Sequence, residues 1–235
     1  MTEHVVARTG DRLWNRSVVV LVGLAAASAL CIAVDEYRTH RLGDPFYRFL
    51  IWNLVLAWAP LVFAVLAYVC AQRRLGAGVV FGVLWLLFFP NAPYVLTDFI
   101  HLRESATAPL WYDALMLSSF AWTALLLGFV SLYVMQTVWR SAVGVVWSWL
   151  AAVCVLGLGS FGVYIGRFMG FNSWDALLHP QRVFDVIRSH VDNPLTHPRL
   201  AGALVVLAAS LIVGYTILYG LAGARLELES RRRRL

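Results

Sequence analysis

The chain has 235 residues, of which 60% are hydrophobic and only 14% charged; a soluble domain of this length is nearer half apolar and a quarter charged. Several apolar runs exceed the ~18 residues that mark a bilayer span, which excludes an ordinary soluble enzyme and points to an all-α, polytopic membrane helix bundle folded as one domain. The net charge of +6 has no soluble module to present it to a nucleic acid, so nucleic acid is excluded as a partner, the lipid bilayer is the expected one, and the basic excess is assigned to membrane orientation.

Arg8, Arg12 and Arg16 precede the first apolar run, as in a signal sequence. The segment "SALCIAVDEY" offers no small-x-small cleavage site, and Leu30 before Cys31 does not suit lipoprotein processing. The run is therefore read as an uncleaved first span at 17–34, after an N-terminal segment 1–16. Further spans are expected at 49–70, 77–102, 114–136, 143–165 and 201–223, giving a single transmembrane domain over 17–223 and a basic tail at 224–235. Cys31, Cys70 and Cys154 lie in or beside these runs without CxxC spacing and read as small buried apolar residues.

Six spans put both termini on one side. The N-terminus, residues 71–76, residues 137–142 and the tail hold eleven Arg against four acids, and the opposite loops hold eight against nine. The positive-inside rule then places both termini in the cytoplasm of a bacterial inner-membrane protein. The "SRRRRL" tail is read as a topology anchor rather than a lipid reader.

In the second span, Asn53 reads as a polar clamp between helices, and Pro60 as a kink. Trp52, Trp58, Trp111 and Trp174 fall near the expected interfaces and read as belt residues.

The third span is interrupted by "FFPNAPYVLTDFIHL". Pro90 and Pro93 each lack an N–H, and Phe89 and Ala92 before them are pushed toward extended geometry. A break at Pro90/Pro93 is expected within the membrane, turned toward the bundle interior, where freed backbone groups can be satisfied. Beyond it Tyr94, Thr97, Asp98 and His101 recur at i, i+3, i+4 and i+7, one stripe of a helix. Asn91 extends that stripe backward and Ser105 forward, with Val95, Leu96, Phe99 and Ile100 on the other side. A carboxylate at the bilayer centre costs about 2.5–3.5 kcal/mol on insertion scales, so the stripe is expected to face polar partners or water.

The fifth span, "GLGSFGVYIGRFMGFNSWD", supplies the partner. Ser160, Tyr164 and Arg167 form a second stripe, while Gly159, Gly162, Gly166 and Gly170 allow close helix approach. Asn172, Ser173 and Asp175 follow at the surface, and Trp111, Tyr112 and Asp113 enter the fourth span at the same level. In the outer loop 166–200, Val183, Ile187 and Val191 recur at helical spacing and suggest a helix lying on the membrane. With five of the six histidines also here, the polar chemistry collects at the extracytoplasmic side.

"FFPNAPYVLTDFIHL" together with "GRFMGFNSWD" resembles the bacterial membrane family known as domain of unknown function 1361, over roughly residues 45–220. The resemblance implies a multi-span membrane protein and no activity, so it carries over no catalytic residue and no cofactor.

Three roles are open to the polar stripes. Asp98 and Arg167 can form an ion pair that ties spans three and five together, with Tyr94 and Tyr164 nearby. The same residues can bind or transform a substrate, Asp98 and His101 being the candidate acid–base or ligand pair and Arg167 an anion clamp. Asp98 and His101 can also begin a metal site completed by Asp113, Asp175, His179 or His190, although no HExxH or paired-His motif is present. Ser160 and Ser173 lack an elbow motif and a supporting His. At the level of the whole protein, these readings become a small-solute or ion transporter, a membrane-embedded enzyme acting on a lipid or envelope precursor, or a scaffold without chemistry.

Overall fold

The computed structural model describes residues 2–73, 75–102, 107–170, 181 and 198–232. Among these there is helix and no strand. The helices are α1 (Thr2–Leu42), α2 (Phe49–Ala71), α3 (Leu75–Phe88), the single turn α4 (Asn91–Tyr94), α5 (Leu110–Val143), α6 (Val145–Met169) and α7 (Pro198–Arg232). Two 3-10 segments join them: Phe46–Arg48 leads into α2, and Val95–His101 continues α4.

Six stretches are long and apolar enough to cross a membrane: Ser17–Leu42, Phe46–Ala71, Gly76–His101, Leu110–Val143, Val145–Arg167 and Gly202–Gly223. Their outward faces carry many large apolar side chains, including Val146, Trp147, Val205, Val206 and Trp122, all more than 60% exposed. A soluble monomer does not leave such surface in water; acyl chains satisfy it.

Helix α5 is the centre of the bundle and packs on α1, α2, α6 and the Asn91–His101 arm. Two apolar layers surround it. One, at the end bearing Asp98, contains Leu24, Tyr47, Leu50, Val95, Met116 and Phe120. The other, toward Arg140, is aromatic-rich, with Trp85, Phe89, Met135, Leu156 and Tyr215. Helix α7 packs on α6 and is the least enclosed of the six.

Several boundaries differ from the sequence reading, each for a physical reason. The first span runs to Leu42 rather than stopping at 34. Its last turns carry Asp35 and Arg38, which are fully enclosed by protein, so charges that looked like an exit from the membrane belong to the helix–helix interface. Spans four and five are joined by Gly144 alone, not by a loop at 137–142. Gly144 sits at φ 85 and ψ 179, a backbone region essentially reserved for glycine, which lets α5 hand over to α6 within one residue.

Pro60 is carried inside α2 without ending it. The three cysteines are free, but only Cys31 is buried; Cys154 points outward on α6, where a small apolar group suits lipid as well as core. Trp52 and Trp111 are exposed. Trp58 instead donates its indole N–H to Ser28 Oγ at 3.0 Å, joining α2 to α1. The expected surface helix at 183–191 and the tip of the outer loop lie outside the described residues.

Candidate functional site: the Asp98–Arg167 cluster

The proline segment sets the geometry. The α-helix of α3 ends at Phe88, and Pro93 has no N–H to return to Phe89. The Ala92 N–H bonds the Phe89 carbonyl at 3.2 Å, an i−3 bond that starts a tighter winding. The Phe88 carbonyl, which Ala92 would serve in a regular α-helix, accepts instead from the Asn91 side-chain amide at 2.9 Å. Asn91 thus repairs the backbone here.

The extended geometry expected at Ala92 is not found: Ala92 lies inside α4, and Pro90, Tyr94 and Val95 are all in the right-handed helical region. Helical bonding changes type instead of being replaced by extended chain. Val95–His101 is a 3-10 helix of seven residues; such runs rarely exceed three or four residues, and a longer one within a span often marks a functional segment.

Three residues per turn rearrange the stripe. Val95, Asp98 and His101 eclipse one another, and Tyr94 and Thr97 form the neighbouring column. Val95 is therefore buried, at 1% exposure, rather than facing away with Ile100 at 58%. The four polar residues still share one side, as adjacent columns.

Helix α6 approaches this arm through its glycines. A Cβ on Gly162 would stand 2.6 Å from Pro90 Cγ, and one on Gly159 would stand 2.9 Å from Phe89 Cε1. A methyl group at either position would force its neighbour to shift. On the central helix, the same holds at Gly128 against Ala92, at 2.8 Å. Gly170 meets nothing within 4 Å and takes the left-handed position after α6.

Close approach brings Arg167 onto the arm. Its Nη2 pairs with Asp98 Oδ1, its Nε donates to Thr97 Oγ1 at 2.8 Å, and Nη1 lies 3.2 Å from His101 Nε2. The guanidinium carbon is 4.6 Å from the centre of the Tyr94 ring. The second carboxylate oxygen of Asp98 accepts from Asn53 Nδ2 at 2.8 Å. The Thr97 hydroxyl itself donates to the Tyr94 carbonyl at 2.7 Å. One guanidinium thus engages both columns of the 3-10 helix, and one carboxylate joins α2, the arm and α6. The Asp98 side chain is fully buried, whereas Arg167 retains 12% exposure.

The other sequence candidates divide. Tyr164 is buried and stacks on Phe161 with ring centres 6.2 Å apart. Ser160 donates to the Leu204 carbonyl at 2.9 Å, fastening α7 to α6. Asp113 is not in the cluster: it accepts from Arg38 Nε at 2.7 Å and from Arg38 Nη2 at 3.4 Å. Arg38 also reaches Asp44 Oδ2 at 3.5 Å and Thr107 Oγ1 at 3.2 Å, with its guanidinium 4.7 Å above the Tyr47 ring. Asn172, Ser173, Asp175, His179, His190 and Ser105 lie outside the described residues. Among the described residues no group of three His, Cys, Asp or Glu side chains is arranged to hold a metal ion.

The Arg38–Asp113 clamp has no counterpart in the sequence reading. Its signal was the spacing of Leu24, Ser28, Cys31, Asp35 and Arg38, a buried stripe at alternating intervals of four and three. The two arginine networks meet at one point: the Tyr47 hydroxyl donates to the His101 carbonyl at 3.0 Å while its ring lies under Arg38.

The model of the family described as "Protein of unknown function (DUF1361)" matches residues 52–214. The chain belongs to the DUF1361 family. No curated protein and no solved structure matches it. The DUF1361 stretch includes Asn53, the proline segment, Asp98 and Arg167, whereas Arg38 and Asp44 precede it. It is an integral membrane protein by the length and apolar character of its six helices.

Proposed function

We propose that this DUF1361 protein binds the polar headgroup of an amphiphilic lipid or envelope precursor at the extracytoplasmic end of its bundle, where the Asp98–Arg167 cluster forms the floor of the site. The arginine balance favours that orientation, with both termini and the 224–235 tail in the cytoplasm of an inner membrane and 17–223 as one transmembrane domain. One observation carries the reading: Arg167, His101, Thr97 and Tyr94 converge where α6 ends, with Arg167 still partly open while Asp98 beneath it is sealed.

In this reading Asp98 and Asn53 hold the floor. Both Asp98 oxygens are engaged, so it acts as a counter-ion rather than as a ready general base. Arg167 and His101 are the groups a phosphate or carboxylate would meet, and Asn172, Ser173 and Asp175 follow them in the sequence. No nucleophile is assigned, and the proposal is for recognition.

A transport reading receives less support. Below Asp98 the bundle is filled by Phe89 and Trp85, at 2% and 1% exposure, and α6 closes on Pro90 through Gly162. A solute would need that aromatic layer to part.

The test is native mass spectrometry of protein extracted gently from its own membrane, comparing wild type with His101→Ala and Arg167→Lys. The expected result is a co-purifying amphiphile, reduced several-fold in both variants at unchanged thermal stability in His101→Ala. Identical lipid content in all three would defeat the proposal. A substrate-dependent flux in proteoliposomes, lost in the same variants, would replace it with the transport reading.

A further inference from the structure

A second feature lies outside the Asp98 cluster, on the first span. Asp35 is completely buried, yet neither carboxylate oxygen has a hydrogen-bond partner among the described residues. The Thr39 hydroxyl, one turn further on the same face of α1, is likewise shut from solvent and without a partner. Elsewhere at this rim the acids are served: Asp98 by Arg167 and Asn53, Asp113 by Arg38, and Glu36 by Arg48 at 2.7 Å.

A bare carboxylate in that position would lack the hydrogen bonds that a buried charge requires, with Arg38 and Arg48 acting on it only at a distance. The charged and titratable groups around it are Glu36 and Arg38 on its own helix, Arg48 at the head of α2, and Tyr112 on α5, with Asp44 and Asp113 beyond Arg38. The Tyr112 hydroxyl donates to the Val34 carbonyl at 3.2 Å. A metal cation fits poorly, because two side-chain ligands are too few and Arg38 and Arg48 repel it. A hydrogen ion needs no cavity, turns one oxygen into a donor and removes the charge.

We propose that Asp35 is a proton-binding site: its carboxyl holds a proton while α1 is docked on α5, and release of that proton loosens the Arg38–Asp113 clamp. Release breaks the carboxyl O–H bond and transfers the proton to water at the rim, leaving a carboxylate. Arg38, three residues along the same helix, is the cation on hand to compensate it. Moving toward Asp35 draws its guanidinium from Asp113, the contact that fixes the end of α1 to α5. The Tyr47 ring under Arg38, whose hydroxyl holds the His101 carbonyl, passes that movement to the Asp98 arm.

The experiment uses the full chain in lipid nanodiscs. Infrared spectroscopy reads the carbonyl stretch of protonated carboxyl groups near neutral pH. A band present in wild type and in Asp98→Asn should vanish in Asp35→Asn and shift in Asp35→Glu, which keeps a carboxyl should the Asn variant fold poorly. Spin labels at exposed Tyr37 and Trp111, in a chain whose native cysteines are replaced by alanine, report the spacing of α1 and α5. That distance should lengthen as pH rises through the loss of the band, and stay fixed in Asp35→Asn. A full band in Asp35→Asn, or a distance indifferent to the band's loss, overturns the proposal.

Discussion

The close seating of α6 on the proline segment predicts a sharp difference between two glycines of one helix. In Gly162→Ala the new methyl carbon would stand 2.6 Å from Pro90 Cγ and 2.8 Å from Pro90 Cβ. Carbon atoms in contact rest about 3.5–4.0 Å apart, so the helices must separate by roughly 1 Å. The proline ring is fused to the backbone and cannot swing aside. Overpacking of this kind costs about 1–3 kcal/mol, against which alanine returns about 1 kcal/mol of helix propensity. In Gly157→Ala nothing lies within 4 Å of the new carbon, so only the propensity gain remains. Thermal unfolding of both variants in one detergent, followed by size-exclusion chromatography, should rank Gly157→Ala at or above wild type and Gly162→Ala below it. Arg167 follows Gly162 by little more than one turn, so the same retreat should weaken its hold on Asp98. A Gly162→Ala protein as stable as Gly157→Ala would refute the packing argument.

Three further outcomes follow from the contacts. Asp113→Ala leaves the fully buried Arg38 without its closest acid and should destabilise the protein by about 3–5 kcal/mol; the paired change Arg38→Met with Asp113→Leu should recover most of that in a denaturant or thermal titration. Ser131→Ala strands the indole N–H of Trp85, whose bond to Ser131 Oγ is 3.1 Å and buried, costing about 1–3 kcal/mol. The exposed Ser141→Ala, by contrast, should stay within about 0.5 kcal/mol of wild type. Asn53→Leu removes the donor to Asp98 Oδ2 and should lower thermal stability by about 1–3 kcal/mol, with the loss smaller when Asp98→Asn is already present.

What the sequence made legible was the side of the third span that matters. Asp98 and His101 in an apolar run demand partners, and the nearest basic group in a glycine-rich span was Arg167. That inference needed only periodicity and the cost of a charge in hydrocarbon. Asn53 was legible as a clamp for the same reason, although not which acid it serves. The winding of Val95–His101 was not legible. Two prolines announce a disturbance without saying whether the chain becomes extended or tightens, and the answer rests on Ala92 and Asn91 finding carbonyls three residues back. Arg38 and Asp113 stayed hidden because each sits at a helix end, where a charge reads as solvent-exposed, and because 75 residues separate them. By the same logic the sequence ends the first span before Asp35: a carboxylate usually marks the membrane surface, and here it is enclosed.

Asp98 and Arg167 face each other and fasten α2, the proline arm and α6 into one unit. A double-mutant cycle of Asp98→Asn, Arg167→Gln and the pair, read by unfolding in detergent, tests it directly. The expected result is a coupling of about 1–3 kcal/mol between the two positions, with the double variant more stable than Arg167→Gln alone. Additive effects, with the second change lowering stability as much as it does in isolation, would contradict it.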